Sequence, residues 1–272
     1  MKTHSPNRVV GFAVFAALCA VTGGALAADS GKVARLADGH PDFNGTWENG
    51  SGYDFIKPQK GADGSICISG CKAAPGAPPP APRVRVEPDR PKYKPEFQGK
   101  VDDLSKHQVD TDPVLRCKAP GLPRIGPPDK IVQQAKQVVF LYDDVSGSFW
   151  RIVPTDGRKH REDADPSYLG DAVGRWDGDS LVVETTNFND DTWLTDNGAF
   201  HTDELRVVER FTRNGDTMEW QATVYDPKVL VEPWKVRPRM TTLTQTELQE
   251  PVPCVEQDLK HVVDGTHHDN PR

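Results

Sequence analysis

From residue 136 onward, three pairs of β-patterned segments follow one another, each pair joined by a short turn. Residues 136–142 and 149–153 flank Asp143-Asp144-Val145-Ser146-Gly147. Residues 172–176 and 181–188 flank Asp177-Gly178-Asp179, and residues 205–213 and 218–225 flank Asn214-Gly215-Asp216. Glycine beside Asp or Asn supplies the positive φ that tight hairpin turns select. No amphipathic helical pattern separates the pairs, so an all-β chain is expected. Its sheet should be antiparallel, closed into a barrel or folded as a sandwich. Residues 234–246 supply one or two further strands.

Alternation in the third pair defines two faces. Leu205, Val207 and Phe211 share one face with Glu209, and Arg206, Val208 and Arg210 share the other. Opposite them, Trp220, Ala222 and Val224 alternate with Glu219, Gln221 and Tyr225. One face is mostly apolar and the other charged. The charged face either meets solvent or lines a polar lumen, and the second arrangement requires its charges to be paired.

The chain opens with Lys2 and Arg8, an apolar run over residues 9–21 and small residues ending at Ala27. This is the layout of a cleaved secretory signal peptide, and the run is shorter than the ~20 residues of a membrane span. Its removal leaves 245 of the 272 residues, 28–272, as one large β domain, and shifts the net charge from −7 to −9. A periplasmic or extracellular location follows, with no membrane span and no affinity for nucleic acid.

Four cysteines remain, Cys67, Cys71, Cys117 and Cys254, an even number for an oxidising compartment. Of three possible pairings, Cys67 with Cys71 and Cys117 with Cys254 is favoured. The second closes nearly the whole domain. A four-thiolate zinc site is the rival, but only one cysteine pair is closely spaced.

Residues 73–95 are rich in proline and suit an extended arm on the domain surface rather than a packed element. Pro95 then fits the first turn of a short helix with Phe97, Val101 and Leu104 on one face. Residues 117–128 carry too much Pro and Gly for a regular element. Gly45-Thr46-Trp47 after Phe43 resembles the opening motif of lipocalins, whose Trp plugs the closed end of an up-and-down barrel. The resemblance implies a calycin-like barrel.

Reactive side chains concentrate after the first hairpin. His160 has Asp163 and Asp165 within five residues, so either acid could orient it as a general base near neutral pH. Arg151, set among aromatic and apolar residues, and Arg158 could stabilise a developing negative charge. Tyr168, Asn187, Trp193 and His201 are candidate ligand-binding residues that would close the same cavity. The alternative is a solvated loop pair laced with salt bridges. Metal binding by His160, Asp163, His201 and Asp203, or by His261, His267 and His268, lacks the spacing of a known motif. Gly178-Asp179-Ser180-Leu181 spells the GDSL signature of serine esterases, with Asp264 and His267 as partners, but it lies in a hairpin turn of a chain without the helices of that α/β fold.

The blocks DGRKH, DPSYLGDAVGRWDGDSLVVETTNFNDDTW, FHTDELRVVERF and DPKVLVEPW resemble a large family of uncharacterised secreted bacterial proteins, over about residues 117–254. The resemblance implies a shared β scaffold and marks Arg158, His160, Asp165, Trp176, Asn187, Trp193, His201 and Arg210, without a transferable activity. The expectation is therefore a secreted, cofactor-independent enzyme doing acid–base chemistry of lyase, isomerase or hydrolase type on a small organic molecule. The alternative is a periplasmic small-molecule binding protein without turnover. No nucleotide, haem or flavin motif occurs.

Overall fold

The computed structural model describes residues 33–49, 59–60, 66–67, 89–107, 111–250 and 253–254. The segment expected to be a signal peptide, Cys71 and most of the proline-rich stretch lie outside these residues, and so does the expected Cys67–Cys71 pairing.

Among the described residues there are twelve strands and one α-helix. They are β1 (Gly45–Asn49), β2 (Gln59–Lys60), β3 (Ile66–Cys67), α1 (Pro95–Lys106), β4 (Lys130–Gln134), β5 (Gln137–Asp144), β6 (Gly147–Pro154), β7 (Asp171–Asp177), β8 (Ser180–Thr186), β9 (Arg206–Asn214), β10 (Thr217–Tyr225), β11 (Trp234–Lys235) and β12 (Arg239–Thr244). Strands β2 and β3 pair with each other, apart from the main sheet. That sheet runs β6-β5-β4-β1-β12-β10-β9-β8-β7, antiparallel throughout, with β11 beside β10. It curls into a nearly closed barrel, as the hairpin succession predicts.

All three predicted hairpins form, each a residue or two longer or shorter than its pattern. Gly178 and Gly215 both sit at the first turn position with φ 59°, where a side chain would be strained. What local patterning does not reveal is the closure, in which β1 lies between β12 and β4 and so joins the two ends of the described chain.

Val138, Phe140, Val207, Phe211, Met218, Trp220 and Val224 fill the interior. The charged face of β9 points outward: Arg206 pairs with Glu184 at 2.9 Å and Arg210 with Asp177. The lumen is therefore not lined by that face, and solvent meets it. Trp47 is buried, donates from Nε1 to the Phe43 carbonyl at 3.0 Å, and lies 5.3 Å beneath the Arg213 guanidinium. The Gly-x-Trp segment thus packs into the barrel as a core element.

Helix α1 begins with Pro95 at its first turn, and Phe97, Val101 and Leu104 pack against the core. Its backbone approaches Gly198 so closely that an added Cβ would lie 2.6 Å from the Val101 carbonyl oxygen. The chain just before it is fixed by Tyr93, whose hydroxyl donates to the Phe200 carbonyl, and by Asp89, which accepts from Trp234 Nε1 at 2.9 Å.

Edge strands β6 and β7 meet without a hydrogen-bonded ladder. Gly174 permits the approach, because a Cβ there would stand 2.9 Å from Val153 Cγ1 and 3.0 Å from Thr155 Cγ2. Among the described residues, no helix is long and apolar enough to cross a membrane.

Cys117 and Cys254 form a disulfide, with Cα atoms 5.6 Å apart and a sequence separation of 137. Neither thiol is then available to a four-cysteine zinc site. In the chain-entropy account a loop of this length contributes about 4–5 kcal/mol. Reduction is expected to lower the urea midpoint accordingly, and an unchanged midpoint in excess dithiothreitol would contradict that contribution.

Candidate functional site

Inside the barrel a charged pair interrupts the apolar filling. Arg151, projecting inward from β6, lies 2.7 Å from Glu209 of β9, and both side chains are almost wholly buried. The guanidinium donates from Nη1 to the Tyr142 hydroxyl at 3.0 Å and from Nη2 to Thr185 Oγ1 at 2.7 Å. Trp220 Nε1 donates to the other Glu209 oxygen at 3.1 Å. Arg151 Nε has no hydrogen-bond partner, and the contact between Nη2 and Glu209 Oε2 is an ion pair without hydrogen-bond alignment. Burial works against the Arg151 charge, but Glu209 and Tyr142 outweigh it and the pKa is raised. Burial likewise raises the pKa of Tyr142.

Tyr142 links this network to a pocket of about 440 Å³ lined by Trp47, Arg124, Ile125, Pro127, Asp129 and Arg239, among others. Asp129 immediately precedes β4 and is anchored on both sides. Its carbonyl accepts from Trp47 N at 2.7 Å, and its N–H donates to Leu141 O at 3.0 Å. Its carboxylate accepts the Asp143 N–H at 2.7 Å. Burial pushes the Asp129 carboxyl up to about 6, the Asp143 N–H bond partly opposes this, and the charges of Asp143 and Asp144 add to the rise. In the pocket wall Arg124 is held by Asp112 at 2.7 and 2.8 Å, and Arg239 lies 5.6 Å over Trp220.

Of the residues expected from the sequence, Arg151 and Arg158 line one cleft, beside β6, and the others do not join them there. His160 is oriented by an acid, but neither Asp163 nor Asp165 serves, His160's partner being Asp171. Its Nδ1 lies 3.0 Å from Asp171, which also accepts from Arg161 Nε at 2.8 Å, and its Nε2 lies 3.6 Å from Glu184. Burial works to raise the Asp171 pKa, but the Arg161 and His160 hydrogen bonds outweigh it, and the net shift is downward. Arg158 is exposed and paired with Asp156 at 2.6 Å, and does not join the hydrogen bonds of the buried Arg151.

His201 is a core histidine. Its Nδ1 donates to the Thr202 carbonyl at 2.9 Å, and Nε2 meets Thr192 Oγ1 at 2.7 Å. Burial lowers its pKa, and both nitrogens are committed. Trp193 is buried with Arg124 5.8 Å from its ring. Asn187 holds a left-handed φ of 59° and donates from Nδ2 to Ala164 O at 2.8 Å, fastening the loop that carries Asp163 and Asp165. Tyr168 lines neither this pocket nor the interior network.

Among the described residues, no group of three His, Cys, Asp or Glu side chains is placed to hold a metal. Asp203 pairs with Lys228, and His261, His267 and His268 lie outside the described residues. Ser180 of the GDSL tetrapeptide is a strand residue hydrogen-bonded to Thr212 at 2.9 Å. No family model matches the chain, and no curated protein matches it.

Asp129, Asp171, Glu184 and Glu209 line the pocket or pair with the candidate side chains, and sequence reasoning does not name them as site residues. Asp129 follows Pro127-Pro128 at the end of an irregular stretch, and its one local signal is an acid placed at the start of the alternation through Ile131 and Gln133. Glu209 carries a clearer one, as the charged residue on the apolar face of its strand.

The buried pair yields a stability prediction. Arg151→Met leaves the Glu209 charge buried without its partner and is expected to cost about 3–5 kcal/mol in urea unfolding at neutral pH. Combining it with Glu209→Leu should recover most of that loss. A single substitution costing less than about 1 kcal/mol would show that the pair is not desolvated as described.

Proposed function

We propose that the protein is a cofactor-independent acid–base enzyme acting on a small organic molecule bound in the Asp129 pocket. The observation that carries this reading is a largely buried carboxyl, pushed up to about 6 by that burial, on the wall of a pocket of about 440 Å³. A catalytic acid or base works best when its pKa lies near the working pH, and a perturbed carboxyl in a cleft is the usual sign of such a group. Asp129 takes the role expected of His160, whose nitrogens face Asp171 and Glu184 instead. Above pH 6 it accepts a proton, and below it donates one. Trp47, Ile125 and Pro127 offer an apolar wall, and the guanidinium groups of Arg124 and Arg239 lie where negative charge developing on a substrate could be met.

The Cys117–Cys254 disulfide supports an oxidising compartment, consistent with secretion into the periplasm or beyond. A binding protein without turnover is the second reading. It is favoured by His201, both of whose nitrogens are committed to partners within the protein.

Incubation in D₂O with a library of small carbonyl compounds and esters, followed by mass spectrometry, distinguishes the two even while the substrate is unidentified. Wild-type protein should convert or deuterate at least one compound, with a rate rising through pH 6 if Asp129 acts as base. Asp129→Asn should slow that reaction by about 10²–10⁴-fold. An undiminished rate in the variant would remove Asp129 from the chemistry, and binding without conversion by wild type would establish the second reading.

Stability gives a substrate-free check. The folded pKa of Asp129 lies above its ordinary value of 3.8, so folding favours the protonated form. The stability this group contributes is present below 3.8 and is lost as pH rises to about 6. Asp129→Asn is therefore expected to raise the thermal midpoint at pH 7.5 by an amount equivalent to about 1–2 kcal/mol, after allowance for solvent screening. At pH 4 the gain should be small. A lower midpoint at pH 7.5 would contradict the burial account.

A further inference from the structure

Where β6 and β7 meet without pairing, a second cleft of about 470 Å³ opens between residues 150–154 and 167–173, covered on one side by the loop that follows β6. Its surfaces are of two kinds. Trp150 and Ile152 project outward from β6 and are 64% and 46% exposed, unusually high for large apolar side chains on a sheet, and Leu169 faces them across the cleft. The apolar surface continues beyond the cleft, because Ile152 pairs in register with Val139 and Val139 with the exposed Val132. Arg158, Lys159 and Arg161 supply the second kind, three cations on one rim.

Their charges are unequally satisfied. Arg161 is engaged by the largely buried Asp171, and Arg158 by Asp156 in a solvent-exposed pair of the sort that contributes little to stability. Lys159 reaches no carboxylate among the described residues. Asp171 is the one acid in the lining, and both its oxygens are occupied by His160 and Arg161. In a chain of net charge −7, a cleft with a cationic rim and an aromatic floor stands out as a local reversal of sign.

We infer that this seam cleft binds a small organic anion with a flat apolar body, an aryl or alkyl carboxylate, with the body against Trp150, Ile152 and Leu169 and the carboxylate at Lys159 and Arg158. Apolar burial supplies most of the affinity, and the cations set the preference for charge and speed the encounter. Arg158 can exchange its exposed Asp156 partner for the ligand's carboxylate with the same two-pronged geometry. A nucleic acid is disfavoured by the acidity of the whole chain. An acidic peptide adding to the free β6 edge is the competing occupant, but the loop bearing Arg158 to Arg161 closes the cleft to a size suited to a small molecule.

The test uses the mature protein with naphthalene-2-carboxylate, followed by tryptophan fluorescence and calorimetry. Saturable one-to-one binding is expected, at least about tenfold tighter than for the uncharged naphthalene-2-methanol. Lys159→Gln combined with Arg158→Gln should weaken the carboxylate about tenfold or more and leave the alcohol unchanged. Trp150→Ala should weaken both. These side chains are exposed, so unchanged thermal midpoints will show that the variants fold. Equal affinity for acid and alcohol, no saturable binding at about 1 mM, or tight binding only by an acidic peptide would each overturn the inference. The Asp129 pocket shares no lining residue with this cleft, so the failure of one site leaves the other standing.

Discussion

The Arg151–Glu209 pair is the constraint on which the barrel's interior depends. Neither charge would remain buried without the other, since taking an ion out of water costs several kcal/mol, and this attraction has to span the lumen from β6 to β9. The partners of the pair come from β5, β8 and β10 through Tyr142, Thr185 and Trp220, so five strands are tied to one polar centre. Such pairs add little net stability compared with apolar packing. Their best-attested role is to fix register, and a slip of one residue in β6 or β9 would turn a charge from its partner to the outer face.

The two clefts follow from how the sheet closes around that centre. β4 and β5 bring Asp129 beside Tyr142, so the pocket at that end of the network acquires a carboxyl shielded enough to titrate near neutrality. On the opposite flank the ladder stops at β6 and β7, and the long connection between them lays its cations over the outward side of β6. The proton transfer proposed for one cavity and the anion binding proposed for the other both rest on position in the barrel rather than on a sequence motif.

Position in the barrel is also what separates the legible features from the illegible ones. The hairpins are legible in the sequence because Gly178 and Gly215 are demanded by local turn geometry, and the inner face of β9 is legible because alternation is a two-residue property. Counting in an oxidising setting leaves three pairings, and the Cys117–Cys254 bond belongs to the one favoured from the sequence. The site is much less legible. His160 has acids three and five residues away, yet it is oriented by Asp171, eleven residues on, because the loop folds back onto the start of β7. His201 resembles a reactive histidine in sequence, but its hydrogen bonds to Thr192 and Thr202 make it a packing element. Asp129 becomes distinctive only when β1 and β5 flank it, and no neighbour in sequence announces that contact.

Asp129 is proposed to be a carboxyl held ready to exchange a proton near neutral pH. The most direct test is a carbon-13 NMR titration of the Asp129 side chain, assigned by comparison with the asparagine variant. A midpoint near pH 6 is predicted, with the Asp143 amide shifting in step because it donates to that carboxylate. A midpoint near the ordinary 3.8 would show that the pocket leaves the carboxyl as water would, and the acid–base assignment would fall.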